Sequence, residues 1–234
     1  MRKLIVLMLL LLASTVWAGD FEDAIAAHER GDYATALKTW RSLAAQGNAP
    51  AQHNLGVMYD KGQGIQQDYA AAVRGYRMAA TQGNPSAQYN LGLMHYKGRG
   101  VPQNYSEAAK WFKLSEAQGY ELAHYNLCLM YDEGHGVIQN FAEAVKRYKI
   151  AAAQGIEQAQ SNLGVKYYYG EGVAKDNVRA YMWLTLAILA TDEDINNIAA
   201  KGRDIVAKRM TPQQIAEAQK MARECQARKF KGCD

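Results

Sequence analysis

Apolar residues recur along this chain with helical spacing, and the whole pattern repeats after 36 residues. Within one copy, Ala51, Leu55 and Met58 lie three or four positions apart, a spacing that brings side chains to one face of an α-helix. The copies read AQHNLGVMYDKGQGI, AQYNLGLMHYKGRGV, AHYNLCLMYDEGHGV and AQSNLGVKYYYGEGV, and they start at Ala51, Ala87, Ala123 and Ala159. A constant period of this length is typical of stacked helical repeats.

Each period predicts two helices. The first ends at a glycine such as Gly62, because glycine adopts the left-handed conformation at little cost. The second carries Ala72, Tyr76 and Ala79 on one face, and it ends at a further glycine such as Gly83. Its first turn follows an Asp or Asn whose side chain can accept hydrogen bonds from unpaired backbone N–H groups. The four predicted capping residues are Asp68, Asn104, Asn140 and Asp176.

The predicted fold class is all-α, a right-handed α/α superhelical solenoid of stacked helix pairs with a concave and a convex side. One helix pair cannot cover its own apolar face, but stacked pairs can. We expect an N-terminal capping helix pair over 19–48 and C-terminal capping helices over 193–234, with helices near 192–209 and 212–229. The four repeats between the caps are expected at 49–84, 85–120, 121–156 and 157–192.

The first 18 residues are interpreted as a signal peptide. Arg2 and Lys3 precede an apolar run over 4–13, and the small residues Val16 and Ala18 fit a cleavage site after Ala18. We therefore expect an exported chain, located in the periplasm or secreted, with no membrane span after cleavage. An uncleaved N-terminal anchor is the alternative.

The net charge bears on the class of partner, and the cysteine positions bear on disulfide formation. The chain has 27 basic and 23 acidic residues, and removal of two basic residues with the signal peptide leaves a net charge of +2, too small to favour nucleic acid as a partner. Export permits disulfides, so we predict a bridge between Cys225 and Cys233. Cys128 replaces the small glycine of the other repeats and is expected to be a buried thiol. Three thiols without a bridge are the alternative.

The A-x-x-N-L-G-x-x-Y helix, the G-x-G-V loop and the A-A-x-Q-G ending resemble the Sel-1-like repeat family, a relative of the tetratricopeptide repeats, over about residues 19–192. The resemblance implies a scaffold, adaptor or host-contact protein with a protein or peptide partner, and we expect a monomer. Some exported members carry a cysteine pair in every repeat and are linked to penicillin binding. The repeats of this chain contain only Cys128, so a cell-wall or β-lactam hydrolase is kept as the alternative function.

No catalytic, metal or cofactor site is predicted. The G-x-G loops follow helices instead of strands and lack a Lys-Ser or Lys-Thr pair, so they are interpreted as helix ends and turns. The chain has neither a G-x-S-x-G turn nor an S-x-x-K pair. Its five histidines form no two-histidine motif with metal-ligand spacing. They are His28, His53, His95, His124 and His135.

The candidate partner-binding residues lie on the first helix of each repeat, on the face that the resemblance to tetratricopeptide grooves indicates. One column differs between copies, as a surface that recognises a ligand should, and a second column is aliphatic. Ordinary helix packing is the alternative for both. The columns are His53, Tyr89, Tyr125 and Ser161, then Val57, Leu93, Leu129 and Val165.

A third column is an asparagine in every copy: Asn54, Asn90, Asn126 and Asn162. One interpretation is a ladder of hydrogen-bonding groups that holds a peptide main chain. The other, which we favour, is local bonding that supports the repeat itself. In the last copy Tyr167, Tyr168 and Tyr169 are adjacent, and since they cannot all face the core, at least one is expected to be exposed.

Overall fold

The computed structural model describes residues 19–188 and 193–233, and within those ranges the chain is helical with no strand. The expected all-α class is confirmed. Helix α1 covers residues 19–29. Helices α2 to α12 are Tyr33–Ala45, Ala49–Lys61, Tyr69–Thr81, Pro85–Lys97, Tyr105–Glu116, Glu121–Glu133, Phe141–Ala153, Glu157–Tyr169, Asn177–Ala187, Glu193–Ala207 and Pro212–Ala227. The predicted signal peptide lies outside the described residues.

The helices divide into two compact units. The first ends at Gln118 and contains α1 to α6, and the second starts at Gly119 and contains α7 to α12. In both units the first and second helices of a repeat pack directly against each other, as α3 and α4 do in the first unit and α9 and α10 in the second. None of the described helices combines the length and the apolar character that a membrane span requires.

The four predicted helix caps are confirmed. Asp68 and Asp176 each accept a hydrogen bond of 2.9 Å from the backbone N–H three residues later, and Asn104 and Asn140 do so at 3.0 Å. These side chains satisfy one of the unpaired N–H groups of the first turn. They therefore determine where the second helix of each repeat begins.

The two glycines of the G-x-G loop have different roles. Gly98 ends α5 in the left-handed conformation at φ 65°, as predicted, and its N–H bonds to the carbonyl oxygen of Met94. Gly100, at φ 69°, lies against the start of α4, and an added Cβ would be 2.3 Å from the carbonyl oxygen of Tyr69. The sequence predicted a turn at both glycines, but the second glycine also lets one repeat approach the backbone of the repeat before it.

Small residues also permit the close approach of helices within each repeat. An added Cβ on Gly56 would lie 2.8 Å from the ring of Tyr76, and one on Gly164 would lie 2.7 Å from Leu184. Cys128, which takes the glycine's place in the third repeat, is fully buried, and its thiol donates to the carbonyl oxygen of His124 at 3.0 Å. The expected buried thiol is confirmed.

At the end of the second unit, α11 and α12 both pack against α10. Trp183 and Leu184 of α10 are buried in the core of this unit. Thr211 caps the last helix: its hydroxyl accepts a hydrogen bond from the N–H of Gln214 at 3.2 Å, and its own N–H donates to the side-chain oxygen of Gln214 at 2.9 Å. Helices α11 and α12 end two residues earlier than we expected, at 207 and 227. Cys225 and Cys233 are joined by a disulfide of 2.06 Å.

Candidate partner-binding surfaces

In the first unit, the candidate residues lie on α3 and α5, where all of them are half-buried. Helix α3 carries His53, Asn54 and Val57, and α5 carries their equivalents Tyr89, Asn90 and Leu93. Positions four apart share a helix face, so each helix presents one polar or aromatic and one aliphatic side chain together. The structure brings the polar members of the two helices into contact.

His53 bonds within the protein through both ring nitrogens. Its Nδ1 lies 3.1 Å from the side-chain oxygen of Asn54, and its Nε2 lies 3.0 Å from the amide nitrogen of Asn90. The ring packs on Tyr76 with the centroids 5.7 Å apart. Burial lowers the pKa of His53, although the bond to Asn54 acts in the opposite direction. His53 is therefore held as a neutral imidazole between two asparagines.

In the second unit, α7 carries Tyr125, Asn126 and Leu129, which are all half-buried. Asn126 donates to the carbonyl oxygen of Leu122 in its own helix at 2.9 Å. The ring of Tyr125 packs against the core of this unit. Two of the three candidates on α7, Tyr125 and Asn126, therefore make contacts inside the protein.

Helix α9 carries the remaining candidates. Ser161 is buried and Asn162 is half-buried, but Val165 is exposed. Asn162 donates to the hydroxyl of Tyr148 at 3.3 Å. Every asparagine of the column thus has a side-chain bond inside the protein, which supports the structural interpretation of that column.

The second unit contains a groove between α9, α10 and α11, lined mainly by apolar residues, which we call the α9–α11 groove. It encloses about 310 Å³. Four of the nine large apolar side chains that are exposed in the described residues belong to it: Val165, Tyr169, Ile198 and Ile205. Its other lining residues are Ser161, Tyr168, Leu184, Lys201, Gly202 and Val206.

The α9 wall of this groove contains two of the candidate residues, whereas no residue of the α11 wall was a candidate. Ser161 and Val165 were candidates, and Tyr169 is 64% exposed, which confirms that one residue of the tyrosine triplet is accessible. On α11, Ile198 and Ile205 recur seven positions apart and are exposed. That spacing was a usable signal, because residues seven apart share a helix face.

The described lining of the groove carries a positive charge. Among those lining residues, Lys201 is the charged one, and it is exposed. Lys175 and Arg209 lie over the ring of Tyr168, at 5.6 Å and 5.1 Å from its centroid. Contacts of this kind are favourable because the face of an aromatic ring is negative.

A second site missed by the sequence analysis is a buried lysine. Lys166 occupies the position of the core methionines Met58, Met94 and Met130. It forms ion pairs with Asp132 and with Glu171, the latter at 2.7 Å. The sequence signal was a single lysine in a column of methionines, and the structure shows that two carboxylates compensate it.

The first unit has a comparable cavity of about 300 Å³ between α2, α3 and α4. Arg41 and Arg74 line it together with Leu55, and Met78 is the exposed large apolar side chain at its wall. Arg41 donates to the hydroxyl of Tyr59 at 3.3 Å. This cavity has one exposed large apolar side chain, whereas the α9–α11 groove has four, so it offers a partner fewer apolar contacts. Within the described residues, no cluster of three or more potential metal ligands occurs.

The fold defines the class of protein: stacked helix pairs with a constant period form a helical repeat protein. The family model of the Sel1 repeat matches residues 49–84, 85–120, 122–156 and 157–192. The chain therefore belongs to the Sel1 repeat family, and the resemblance inferred from its motifs is confirmed.

Two solved structures are similar over most of the chain. One is c5321, described as a protective antigen present in uropathogenic Escherichia coli strains displaying an SLR fold, with 29% identity and a TM-score of 0.80 over 92% of this chain. The other is a Sel1 repeat protein from Oxalobacter formigenes, with 29% identity and a TM-score of 0.70 over 86% of this chain and 84% of that one. This chain spans 47% of the length of the antigen. No curated protein matches it.

The family also indicates a general role. Sel1 repeat proteins generally act as scaffolds for protein–protein interaction, and the two similar structures share the same fold. The fold thus supports protein binding in general.

Proposed function

We propose that this protein is an exported scaffold that binds another protein and catalyses no reaction. Its role is that of an adaptor or assembly factor in the cell envelope, or of a protein that contacts a host. The charged start, apolar run and small residues of the first 18 positions support export to the periplasm or the medium. The observation that carries the binding function is the α9–α11 groove.

The groove has the composition of a protein-binding surface. Monomeric proteins rarely leave large apolar side chains clustered in water, and such clusters mark interaction sites. Full burial of one isoleucine or valine side chain contributes about 1.5–3 kcal/mol, so a few anchors supply most of the affinity. Tyr169 adds a large apolar area, together with a hydroxyl that can bond to a partner.

The candidate columns contribute unequally to this proposal. Val165 is exposed and lies in the groove, so it is the column member that fits partner binding best. His53 is engaged in bonds inside the protein, and Tyr89 packs on Phe112 with ring centroids 5.7 Å apart. We therefore place the principal binding surface at α9 and α11, and we assign the half-buried columns a secondary role.

The experiment compares three forms of the chain from Gly19 onwards as bait in extracts of its native envelope. The groove variant is Val165→Ser with Ile198→Ser, and the control is Ile138→Ser, which alters an exposed isoleucine outside the groove. We expect proteins retained by the wild-type chain and by the control to be lost with the groove variant, while the thermal midpoint stays unchanged. Equal retention by all three forms would contradict the proposal.

A further inference from the structure

Helix α11 presents two parallel rows of apolar residues, of which only one is used by the core. Ala199 and Val206 are buried, whereas Ile198 and Ile205, each one position earlier, are 64% and 51% exposed. Both rows have a spacing of seven residues, so each row follows the helix over two turns. The core explains the first row but leaves the second without a partner inside the described part of the protein.

The exposed row faces a wall of matching chemistry on α9. Val165 and Tyr169 lie one helical turn apart on that wall, and Leu184 of α10 lines the groove between the two helices. Gly202 lies between the two isoleucines along α11, and a Cβ added there would meet Leu184 at 3.2 Å. The absence of a side chain at Gly202 therefore lets α11 pack closely on Leu184 of α10, at the floor of the groove.

The charged side chain that lines the described part of this groove is a cation. Lys201 lies on the groove between Ile198 and Ile205 in sequence, and among the described residues no acidic side chain lines the groove. Two further cations are held over Tyr168, as described above. The nearest acid that follows Lys201 on α11, Asp204, pairs with Arg203 at 3.0 Å.

We propose that the α9–α11 groove binds an acidic amphipathic helix of a partner protein. The partner helix places apolar side chains, about one and two turns apart, between the exposed rows of α9 and α11. It also places a carboxylate opposite the ammonium group of Lys201. This proposal rests on the proposed function and specifies the partner. Burial of the apolar row supplies affinity, and the carboxylate selects the partner, since a cation at that point would be repelled.

The spacing on α11 supports a helical occupant. Residues seven apart on a helix are separated by about 10.5 Å, given a rise of about 1.5 Å per residue. A partner helix with apolar residues at i, i+4 and i+7 repeats the same distance, and this is the usual way in which an amphipathic helix binds in a groove.

The test uses two designed, fluorescein-labelled helical peptides of about four turns. Both carry leucine at i, i+4 and i+7, and they differ only in the residues beside the leucines, which are glutamate in one peptide and lysine in the other. Fluorescence anisotropy measures binding to the chain from Gly19 onwards. We expect the glutamate peptide to bind about fivefold tighter or more, which corresponds to about 1 kcal/mol for one solvated charge pair. The preference should shrink as salt is added.

Lys201→Glu should reverse this preference, whereas Lys208→Glu, an exposed change directly after the end of α11 and outside the groove, should leave it intact. Ile198→Ser with Ile205→Ser should weaken both peptides about tenfold or more. Equal binding of the two peptides, or a preference that Lys201→Glu does not alter, would overturn the acidic assignment. Binding that the double serine variant leaves unchanged would overturn the groove itself, and with it the proposed function.

Discussion

The side-chain amide nitrogen of Asn90 lies 3.0 Å from Nε2 of His53, so a residue of one repeat completes the hydrogen bonding of a residue in the repeat before it. An amide N–H₂ group can only donate, and Nε2 must therefore accept. The other ring nitrogen then carries the proton and donates to Asn54. This hydrogen bonding requires the neutral form of the His53 ring. It gives Asn54 and Asn90 a structural role.

We predict that acidification destabilises the first unit through His53. Burial lowers the pKa of His53 in the folded state below its usual value near 6.5, so the unfolded chain takes up the proton first. The contribution of His53 to the free energy of unfolding is complete above about pH 6.5 and is lost as the pH falls through the lower folded pKa. Thermal midpoints between pH 8 and pH 5 measure this loss, and His53→Gln should make the decline shallower.

His95 also has a lowered pKa, because of its burial and the nearby Arg77, so it contributes to the same decline. A sharper test therefore changes the partner of His53. Asn90→Asp places a carboxylate beside Nε2 and stabilises the protonated ring, which should weaken or reverse the pH dependence. If Asn90→Asp loses stability between pH 7 and pH 5 as steeply as the wild-type chain, the assigned hydrogen bonding is wrong.

The repeat fold was predictable because its determinants are local. A cap such as Asp68 acts on an N–H group three residues away, and Gly62 ends its own helix, so both are visible in a short stretch of sequence. Asn48 and Asn84 accept the same kind of hydrogen bond at the starts of α3 and α5, although neither cap was predicted. The third and fourth repeats lack this cap, and their helices form without it.

The groove was only partly predictable because its walls come from distant segments. The seven-residue spacing reveals two apolar rows on α11, but it does not show whether Ile198 or Ala199 is buried, because the position of α10 decides that. The role of Lys166 was unpredictable for the same reason. A lysine is tolerated at this core position because it pairs with Asp132, which lies 34 residues earlier and is brought close by the packing of successive repeats.

We predict that Lys166→Met lowers the free energy of unfolding of the second unit, although methionine is the residue of the other three repeats. The change leaves Asp132 largely buried without its cation, and the loss should be about 1–3 kcal/mol. Asp132 also accepts a hydrogen bond from Tyr148 at 3.3 Å, which an asparagine can still accept. Chemical denaturation measures the loss.

The double variant Lys166→Met with Asp132→Asn is the matched control, since it removes both charges and keeps the acceptor for Tyr148. It should recover most of the stability that the single variant loses, because residues in one network do not act additively. A single variant as stable as the wild-type chain would show that the buried ion pairs contribute nothing.

We predict no turnover of a chromogenic β-lactam or of peptidoglycan fragments by the purified chain. A cysteine nucleophile must be accessible as a thiolate. Cys128 is fully buried, and Cys225 and Cys233 are joined to each other. Hydrolysis that persists through a second purification, and that is lost with Cys128→Ala, would instead establish the alternative function.

The last prediction separates the contact made by a loop glycine from its backbone conformation. Gly100 and Gly83 both have positive φ, 69° and 90°, so alanine at either position costs about 1–2 kcal/mol for the left-handed backbone. Around Gly83 an added Cβ meets nothing within 4 Å, whereas at Gly100 it would lie 2.3 Å from the backbone of Tyr69. Gly100→Ala should therefore be less stable than Gly83→Ala by about a further 1–3 kcal/mol, the usual cost of overpacking. Equal losses in denaturant titrations of the two variants would show that the loop can move away from α4 without cost, and the role assigned to the second glycine would be wrong.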